Sequence, residues 1–553
     1  MSDVYRPPGF STPVDLDLSR NEGSPSVTEV DLDTGELATV TSRYPDTTHL
    51  TALVADHNGV SPDRILVTAG GDDALLRCFL ANRSGAVVST TPSFEMIRRY
   101  AAQVETPLIE IPWWDGDFPI ADFLDEAAGE PGMAVVVSPN NPTGAVIGAS
   151  DLRKLAGSYP LVVLDAAYTE FADEDLTPEA LGPDNVVVVR TLSKAYGLAG
   201  LRVGYVLGSP DLIGRLAGFG SPYSLSGLSA SLASRVLAET PQRAAEFSRG
   251  VISRRERLIA FLDELYCRPM PSQANFVLAT DVSPGWVVPA AAALGVGLRS
   301  WSDRPELARC VRVTVPGSES DLERLVETLR TVLDPEALLF DMDGVLVDVR
   351  GSYREAIVAT AATFGVEVTA SDIASLKARG NASDDWDLTR RLCVAAGVEV
   401  SLGTVHDEFE RIYQGDGYGE GLKLRETLLV DPDRLEAWSK RMPLAIVTAR
   451  PRQDAQEALD RFDIARHFTA VIAREDAPSK PDPAPVALAL DRLGVSRAWM
   501  IGDTPDDLEA ARAAGVIPIA VGVPGVDRSA LAGAARLMDS VNQIEEVLDV
   551  TKS

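Results

Sequence analysis

At 553 residues the chain is too long for a single core of ordinary size, and roughly two to four domains are expected. Its 45% apolar and 24% charged content is that of a folded globular protein. A net charge of −30 argues against nucleic acid or an anionic membrane as partner, so an anionic substrate must be drawn in by a few local Arg and Lys groups.

Met1 to Asp17 has no apolar run behind a basic start, and no stretch reaches the ~18 apolar residues of a membrane span, so a cytoplasmic location is expected. Cys78, Cys267, Cys310 and Cys393 lack CxxC spacing and are expected to be reduced and mostly buried. His49, His57, His406 and His467 share no ligand spacing and read as structural or surface residues.

Residues 21–46 read as an extended arm, from Asn21-Glu22-Gly23 to Arg43-Tyr44-Pro45-Asp46, too polar and broken for a core element. Ile65 to Ala69 predicts a strand, followed by Gly70-Gly71 and a helix opened by Asp72 and Asp73. Free backbone N–H groups at such a helix start form an anion seat, although most Gly-Gly turns merely reverse the chain. Thr91-Pro92-Ser93-Phe94 follows the apolar run Ala86-Val87-Val88, so Phe94 either stacks on a flat ligand or fills the core.

The run Val135-Val136-Val137 predicts a buried strand ending in Ser138-Pro139-Asn140-Asn141-Pro142-Thr143-Gly144, whose proline-locked turns fix the amide of Asn141. Leu161 to Asp165 ends another strand in a carboxylate, with Tyr168 three residues on. Val186 to Val189 leads into Thr191-Leu192-Ser193-Lys194, and Arg202 follows. A lysine at a strand's carboxyl end can form a Schiff base, while hydroxyls and a guanidinium suit a phosphate. Together these groups describe a pocket for pyridoxal phosphate, with Asp165 as the carboxylate that keeps a pyridine nitrogen protonated.

Residues 1–333 resemble the fold type I pyridoxal phosphate aminotransferases, and most closely the histidinol-phosphate aminotransferases. The likeness is carried by Tyr44-Pro45-Asp46, Asn140-Asn141-Pro142-Thr143-Gly144, Asp165-Ala166-Ala167-Tyr168, Ser193-Lys194-Ala195-Tyr196-Gly197-Leu198-Ala199-Gly200-Leu201-Arg202 and Ala274-Asn275-Phe276. The resemblance implies that Lys194 is the Schiff-base lysine, Asp165 holds the ring nitrogen, Asn141 and Tyr168 hold the ring oxygen, and Phe94 stacks. It assigns the cofactor phosphate to Gly71, Asp72, Thr191, Ser193 and Arg202, with Tyr44 reaching in from the other subunit of a homodimer. Arg299 and Arg312 match the arginines that grip the far anionic end of substrate or amino donor. Two departures bear on the substrate: Asn-Glu-Gly at 21–23 replaces the more usual Asn-Glu-Asn-Pro, and Gly71 stands where serine is usual.

Asp321 to Arg330 has helical periodicity, and Asp334-Pro335 breaks it. Ala337 to Phe340 then runs into Asp341-Met342-Asp343-Gly344, two carboxylates two residues apart at a strand end. Later strand ends offer Thr448, Lys480 in Lys480-Pro481-Asp482, and the acidic group Asp503, Asp506 and Asp507. In this order they resemble a haloacid dehalogenase superfamily phosphatase over 337–550, with 352–435 placed as the helical cap of subclass I. The resemblance implies Asp341 as nucleophile, Asp343 as acid and base, and Thr448 and Lys480 on the phosphoryl group. It implies Mg2+ at Asp341, Asp343, Asp503 and Asp507, with Asp506 the alternative to Asp507. Aspartate at 343 favours phosphoryl transfer over dehalogenation.

The expected fold is α/β throughout: an aminotransferase over 1–333 (arm 1–46, large mixed-sheet domain 47–240, small α+β domain 241–333) followed by a Rossmann-like phosphatase over 334–553 (core 337–351 and 436–550). The expected function is transamination of a small phosphorylated keto compound, imidazole acetol phosphate with glutamate as donor, then hydrolysis of histidinol phosphate. Alternatives are another amino alcohol phosphate, a threonine-phosphate-decarboxylase-like reaction, or one part serving as an inactive dimerisation module.

Overall fold

The computed structural model describes residues 9–10, 12–22, 34–82, 85–129, 132–239, 242–378, 384–415, 420–523 and 528–550. Gly23 and the rest of the arm to 33 lie outside them. The chain forms two compact units, one built from 18–281 and 298–324, the other from 9–17, 282–297 and 325–553. In the second unit Leu16–Asp17 pairs in parallel with Val296–Gly297, and Trp286 packs on Trp499 with ring centroids 4.6 Å apart.

In the first unit seven strands form one sheet: β1 Ile65–Thr68, β2 Val87–Thr91, β3 Leu108–Pro112, β4 Met133–Val137, β5 Val162–Asp165, β6 Val186–Thr191 and β7 Gly204–Leu207. Their order is β1-β7-β6-β5-β4-β2-β3, with β7 antiparallel to both neighbours and the other pairings parallel. β4 and β5 are buried at every position, and so is β6. Strands covered on both faces read as unbroken apolar runs, which is why Val186 to Val189 show no alternation. One face packs Val135, Val163 and Val187 against Leu75 and Phe79 of α1, Gly70–Ala81. Each such side chain contributes about 1.5–3 kcal/mol before the entropy of ordering it.

Because β2, β4, β5 and β6 run parallel, their carboxyl ends share one edge, and the residues just beyond them meet there. A separate antiparallel pair, β8 Phe276–Ala279 and β9 Val311–Thr314, carries Arg312, and Arg299 bridges to it. The arm departs from expectation at Thr34–Ser42, which is a helix with no buried residue. Its polarity excluded it from the core, not from helicity: Glu36 is held by Ser231 Oγ at 2.6 Å and by Arg235.

The second unit centres on six strands, β10 Ala337–Phe340, β11 Leu444–Val447, β12 Ala470–Ile472, β13 Ala498–Gly502, β14 Ile517–Val521 and β15 Arg536–Met538. They are ordered β12-β11-β10-β13-β14-β15 and all pairings are parallel. Asp341, Thr448 and Asp503 therefore follow adjacent strand ends. Between β10 and β11 the chain is mainly helical, with α2 Tyr353–Thr363, α3 Asp385–Ala395 and α4 Leu402–Gln414. Tyr353, Phe409 and Tyr413 pack together between α2 and α4. All four cysteines are free and buried. Among the described residues no helix is long and apolar enough to cross a membrane.

Candidate active sites

A cavity of about 380 Å³ opens at the carboxyl edge of the first sheet. Asp72, Phe94, Asn141, Tyr168, Ser193, Lys194 and Arg202 line it, as do Arg299 and Arg312. Lys194 Nζ lies 5.7 Å from the centroid of the Tyr168 ring. Burial, and then the guanidinium of Arg312, bring the lysine down to about 8 against the pull of Asp72 and Glu22. Asn141 Nδ2 donates to the Tyr168 hydroxyl at 3.4 Å, and Asn21 Nδ2 donates to the same hydroxyl at 3.2 Å.

Asp165 is buried at the end of β5 and accepts a hydrogen bond from Ala167 N–H at 3.2 Å. No cationic side chain among the described residues bonds to it. Burial therefore raises it to about 7, with the Asp72 charge adding to the rise and the Ala167 bond and Lys194 opposing it. A carboxylate left in this state fits a cationic partner brought by a ligand, such as a protonated ring nitrogen.

The residues expected at a phosphate are each held by neighbouring groups. Thr191 Oγ1 donates to Ser193 Oγ at 2.9 Å, and Arg202 Nη2 donates to Asp72 Oδ2 at 2.9 Å. Gly70 has φ +84°, and a Cβ there would come within 2.7 Å of Arg202 Nη2, so glycine keeps this cradle open. The Asp72 carboxylate faces Arg202 and Tyr100, so Asp72 can serve an anion only through its backbone N–H. Tyr44 lies apart from this cavity, 80% exposed and stacked on Tyr223 at 4.5 Å.

Arg312 is buried and donates to Asn141 Oδ1 and to Ser19 O, both at 2.7 Å. Its fork thus ties Asn141 to the backbone at Ser19. Arg312→Lys keeps the charge and loses the bidentate geometry, so kcat/KM for the amino donor should fall about 10- to 100-fold, corresponding to the ~1.5–3 kcal/mol of a charged hydrogen bond. Steady-state transamination kinetics measure this. Arg299 instead donates to both oxygens of Glu95 at 3.3–3.4 Å.

In the second unit Lys480 Nζ donates to Asp341 Oδ1 at 2.7 Å and lies 2.5 Å from Asp507 Oδ1. Burial disfavours the ammonium, but the two carboxylates outweigh it and hold Lys480 well above its ordinary value. Burial, opposed by Lys480 and reinforced by Asp507 and Asp343, raises Asp341 to about 7. Carboxylate oxygens of Asp341, Asp503 and Asp507 lie within 4.8 Å of one another, a hard-oxygen set suited to Mg2+. Gly344 has φ +78°, and a Cβ there would collide with Asp503 Oδ2. Gly344→Ala should cut phosphate release by roughly 10- to 100-fold through strain of about 1–3 kcal/mol, measured by phosphate assay.

Asp343 does not join that acidic group. Its side chain turns to Arg450, whose Nε donates to Asp343 Oδ1 at 2.6 Å, so of the four acids expected at the metal three converge. The reason is charge: a buried guanidinium captures the nearest carboxylate. Burial raises Asp343 above the ordinary carboxylate range against the pull of Arg450. Asp507 Oδ2 accepts from Thr504 Oγ1 at 2.6 Å and Asp503 N–H at 3.2 Å, forming the helix cap of Pro505–Ala513 while its other oxygen holds Lys480. Thr448 Oγ1 accepts from Arg450 N–H at 3.2 Å.

Residues 17–329 match the family model of aminotransferase class I and II. The chain belongs to this aminotransferase family. Behind that part the enzyme carries a haloacid dehalogenase-like hydrolase domain, matched over 335–515. The aminotransferase is 34% identical over 308 residues to a histidinol-phosphate aminotransferase of Cronobacter sakazakii, covering 52% of this chain and 83% of that protein. An imidazoleglycerol-phosphate dehydratase of Phytophthora nicotianae is 45% identical over 197 residues. That match covers 34% of this chain and spans only 44% of the dehydratase's length. Among solved structures, a histidinol-phosphate aminotransferase of Sinorhizobium meliloti in complex with pyridoxal-5'-phosphate has the same fold. Its TM-score is 0.51 at 24% identity, over 58% of this chain and 91% of that one.

Three residues of the aminotransferase and its hydrolase domain escaped the sequence reading. Asn21, read as part of a polar arm, is buried, accepts from Thr314 Oγ1 at 2.7 Å and bonds Tyr168. Arg450 and Glu426 form a buried ion pair at 3.0 Å. The available signals were the Arg two positions after Thr448 and an isolated Glu beside an apolar tract, neither specific alone.

Proposed function

We propose that the aminotransferase part moves an amino group between glutamate and imidazole acetol phosphate. The hydrolase domain then cleaves the phosphate monoester formed, histidinol phosphate, with Mg2+. The observation that carries this reading is the likeness to a histidinol-phosphate aminotransferase over most of that protein's length, with two arginines beside the cavity lysine.

Bound pyridoxal phosphate would supply an electron sink for the carbon that loses its proton. Asp165 would hold the ring nitrogen's proton by a charge-assisted bond of about 1.5–3 kcal/mol. Asn141 Nδ2 and Tyr168 OH, 3.4 Å apart, would hold the ring oxygen, and Phe94 would stack on the ring. Ser193, Thr191, Arg202 and the α1 backbone at Gly71 and Asp72 would hold the phosphate. Lys194 Nζ, kept near 8, is neutral often enough to take the substrate's proton and hand it back. Arg312, and Arg299 once released from Glu95, hold the anionic end.

In the hydrolase domain Mg2+ on Asp341 and Asp503 would offset the charge of phosphate against carboxylate. Asp341 attacks phosphorus, the bond to the alcohol oxygen breaks, and Asp343 gives that oxygen a proton before activating water against the phosphoaspartate. Lys480 and Thr448 hold the phosphoryl oxygens, and Asp507 anchors Lys480. The helices between β10 and β11 would close over a small metabolite. A homodimer in which Tyr44 would serve the partner subunit's cofactor is supported by the exposure of Tyr44, and sedimentation tests it.

Purified protein should turn over histidinol phosphate with 2-oxoglutarate and release phosphate from it; absence of both rejects the substrate. The Glu95–Arg299 pair and Gly71 favour a second reading, in which another amino alcohol phosphate is the substrate or a phosphorylated amino acid is decarboxylated. A panel of phosphorylated amines, scored for keto product and carbon dioxide, separates the two.

A further inference from the structure

We propose that Arg450 is a positioning residue that ties the proton-donating carboxyl of Asp343 to the helical segment between β10 and β11, an inference that rests on the phosphatase reading. Arg450 follows β11 by three residues and is 2% exposed. Its Nε donates to Asp343 Oδ1 at 2.6 Å. On the other side Nη2 donates to Glu426 Oε1 at 3.0 Å, and Nη1 donates to Glu426 Oε2 at 3.3 Å and the Tyr413 hydroxyl at 3.4 Å. The guanidinium carbon lies 4.8 Å from the centre of the Tyr353 ring.

These partners come from separate parts of the hydrolase domain. Tyr353 belongs to α2, Tyr413 to α4, and Glu426 lies in the same helical insertion, while Asp343 belongs to the loop after β10. Glu426 is itself fixed, by Ser352 Oγ at 3.0 Å, Tyr413 OH at 3.0 Å and Arg461. A buried guanidinium stripped of partners would cost several kcal/mol, so this fork holds its carboxylates in one arrangement.

That arrangement matters for one bond. As Asp341 bonds to phosphorus, the bond from phosphorus to the alcohol oxygen breaks, and its electron pair takes the Asp343 proton. Arg450 binds Oδ1 of Asp343 through both Nε and Nη2, which leaves Oδ2 to carry the proton. A lysine offers one nitrogen in place of the planar fork that meets Asp343 on one side, Glu426 on the other and the Tyr353 ring on its face, so it cannot reproduce this geometry.

The test exploits the leaving group. p-Nitrophenolate departs without a proton, whereas the alkoxide of histidinol phosphate or ethanolamine phosphate needs one. kcat/KM for an alkyl ester, divided by that for p-nitrophenyl phosphate, is independent of how much of a preparation is folded. Arg450→Lys should lower this ratio about 10-fold and Arg450→Gln about 100-fold, within the range of general acid catalysis. Glu426→Gln, which loosens the anchor and keeps the guanidinium, should lower it several-fold and decides the matter if the arginine variants are insoluble. A ratio equal to wild type, with both esters losing activity together, overturns the proposal and leaves Arg450 as packing. Wild-type enzyme that cleaves neither ester rejects the phosphatase reading itself, and the proposal with it.

Discussion

Lys194→Ala should abolish transamination, lowering kcat by roughly ten-thousand-fold, while phosphate release by the hydrolase domain persists. The size of the effect follows from the geometry: Lys194 Nζ lines the cavity beside Tyr168, and its amine is held near 8 where free lysine stays charged. Alanine leaves Ser193 and Arg202, proposed above to hold the cofactor phosphate, in place, so the variant should still bind the cofactor, without the covalent shift of its visible absorption. The wild-type amine gives a pH test with a definite sign. Below about 8 it is mainly protonated and cannot attack an aldehyde, so reconstitution of apoenzyme should speed up as pH rises and level off above that value. A rate that is flat across this range would remove Lys194 from its role.

Asp341→Asn should produce the complementary loss, with phosphate release falling on the order of ten-thousand-fold and transamination unaffected. Asparagine keeps the shape and removes both the proposed nucleophile and one negative charge of the Asp341, Asp503 and Asp507 group. Lys480 would then lose its 2.7 Å carboxylate partner and keep Asp507, so the site should stay folded around an amide. A coupled assay for phosphate, run beside the transaminase assay on the same preparation, reads both outcomes. Substantial release by Asp341→Asn would mean that water, not a carboxylate, attacks phosphorus.

Much of the fold was legible because parallel strands buried on both faces leave plain marks. Val186 to Val189 and Leu338 to Phe340 are unbroken apolar runs that end in polar residues, and each became a buried strand with those residues at its carboxyl end. The arm was harder, because polarity says where a segment lies and not whether it is helical, and Thr34–Ser42 is a helix on the surface. The segment 282–297 reads as part of the aminotransferase by position, yet it groups with the second unit, where Trp286 meets Trp499 and donates to Val332 O at 3.0 Å.

By itself the sequence determined the chemistry available: a lysine, an aspartate and an asparagine at three strand ends in front, and four acids, a threonine and a lysine behind. Strand ends of a parallel sheet share an edge, so their order along the chain already implied convergence. Only the tertiary structure decided which polar and charged groups meet across long separations. Asn21 reaches Tyr168, Arg312 reaches Asn141, and Arg450 draws Asp343 away from the other acids. Such pairings follow from burial, since a charge removed from water must find its partner among whatever the fold brings within about 3 Å, and chain order carries no record of that neighbour.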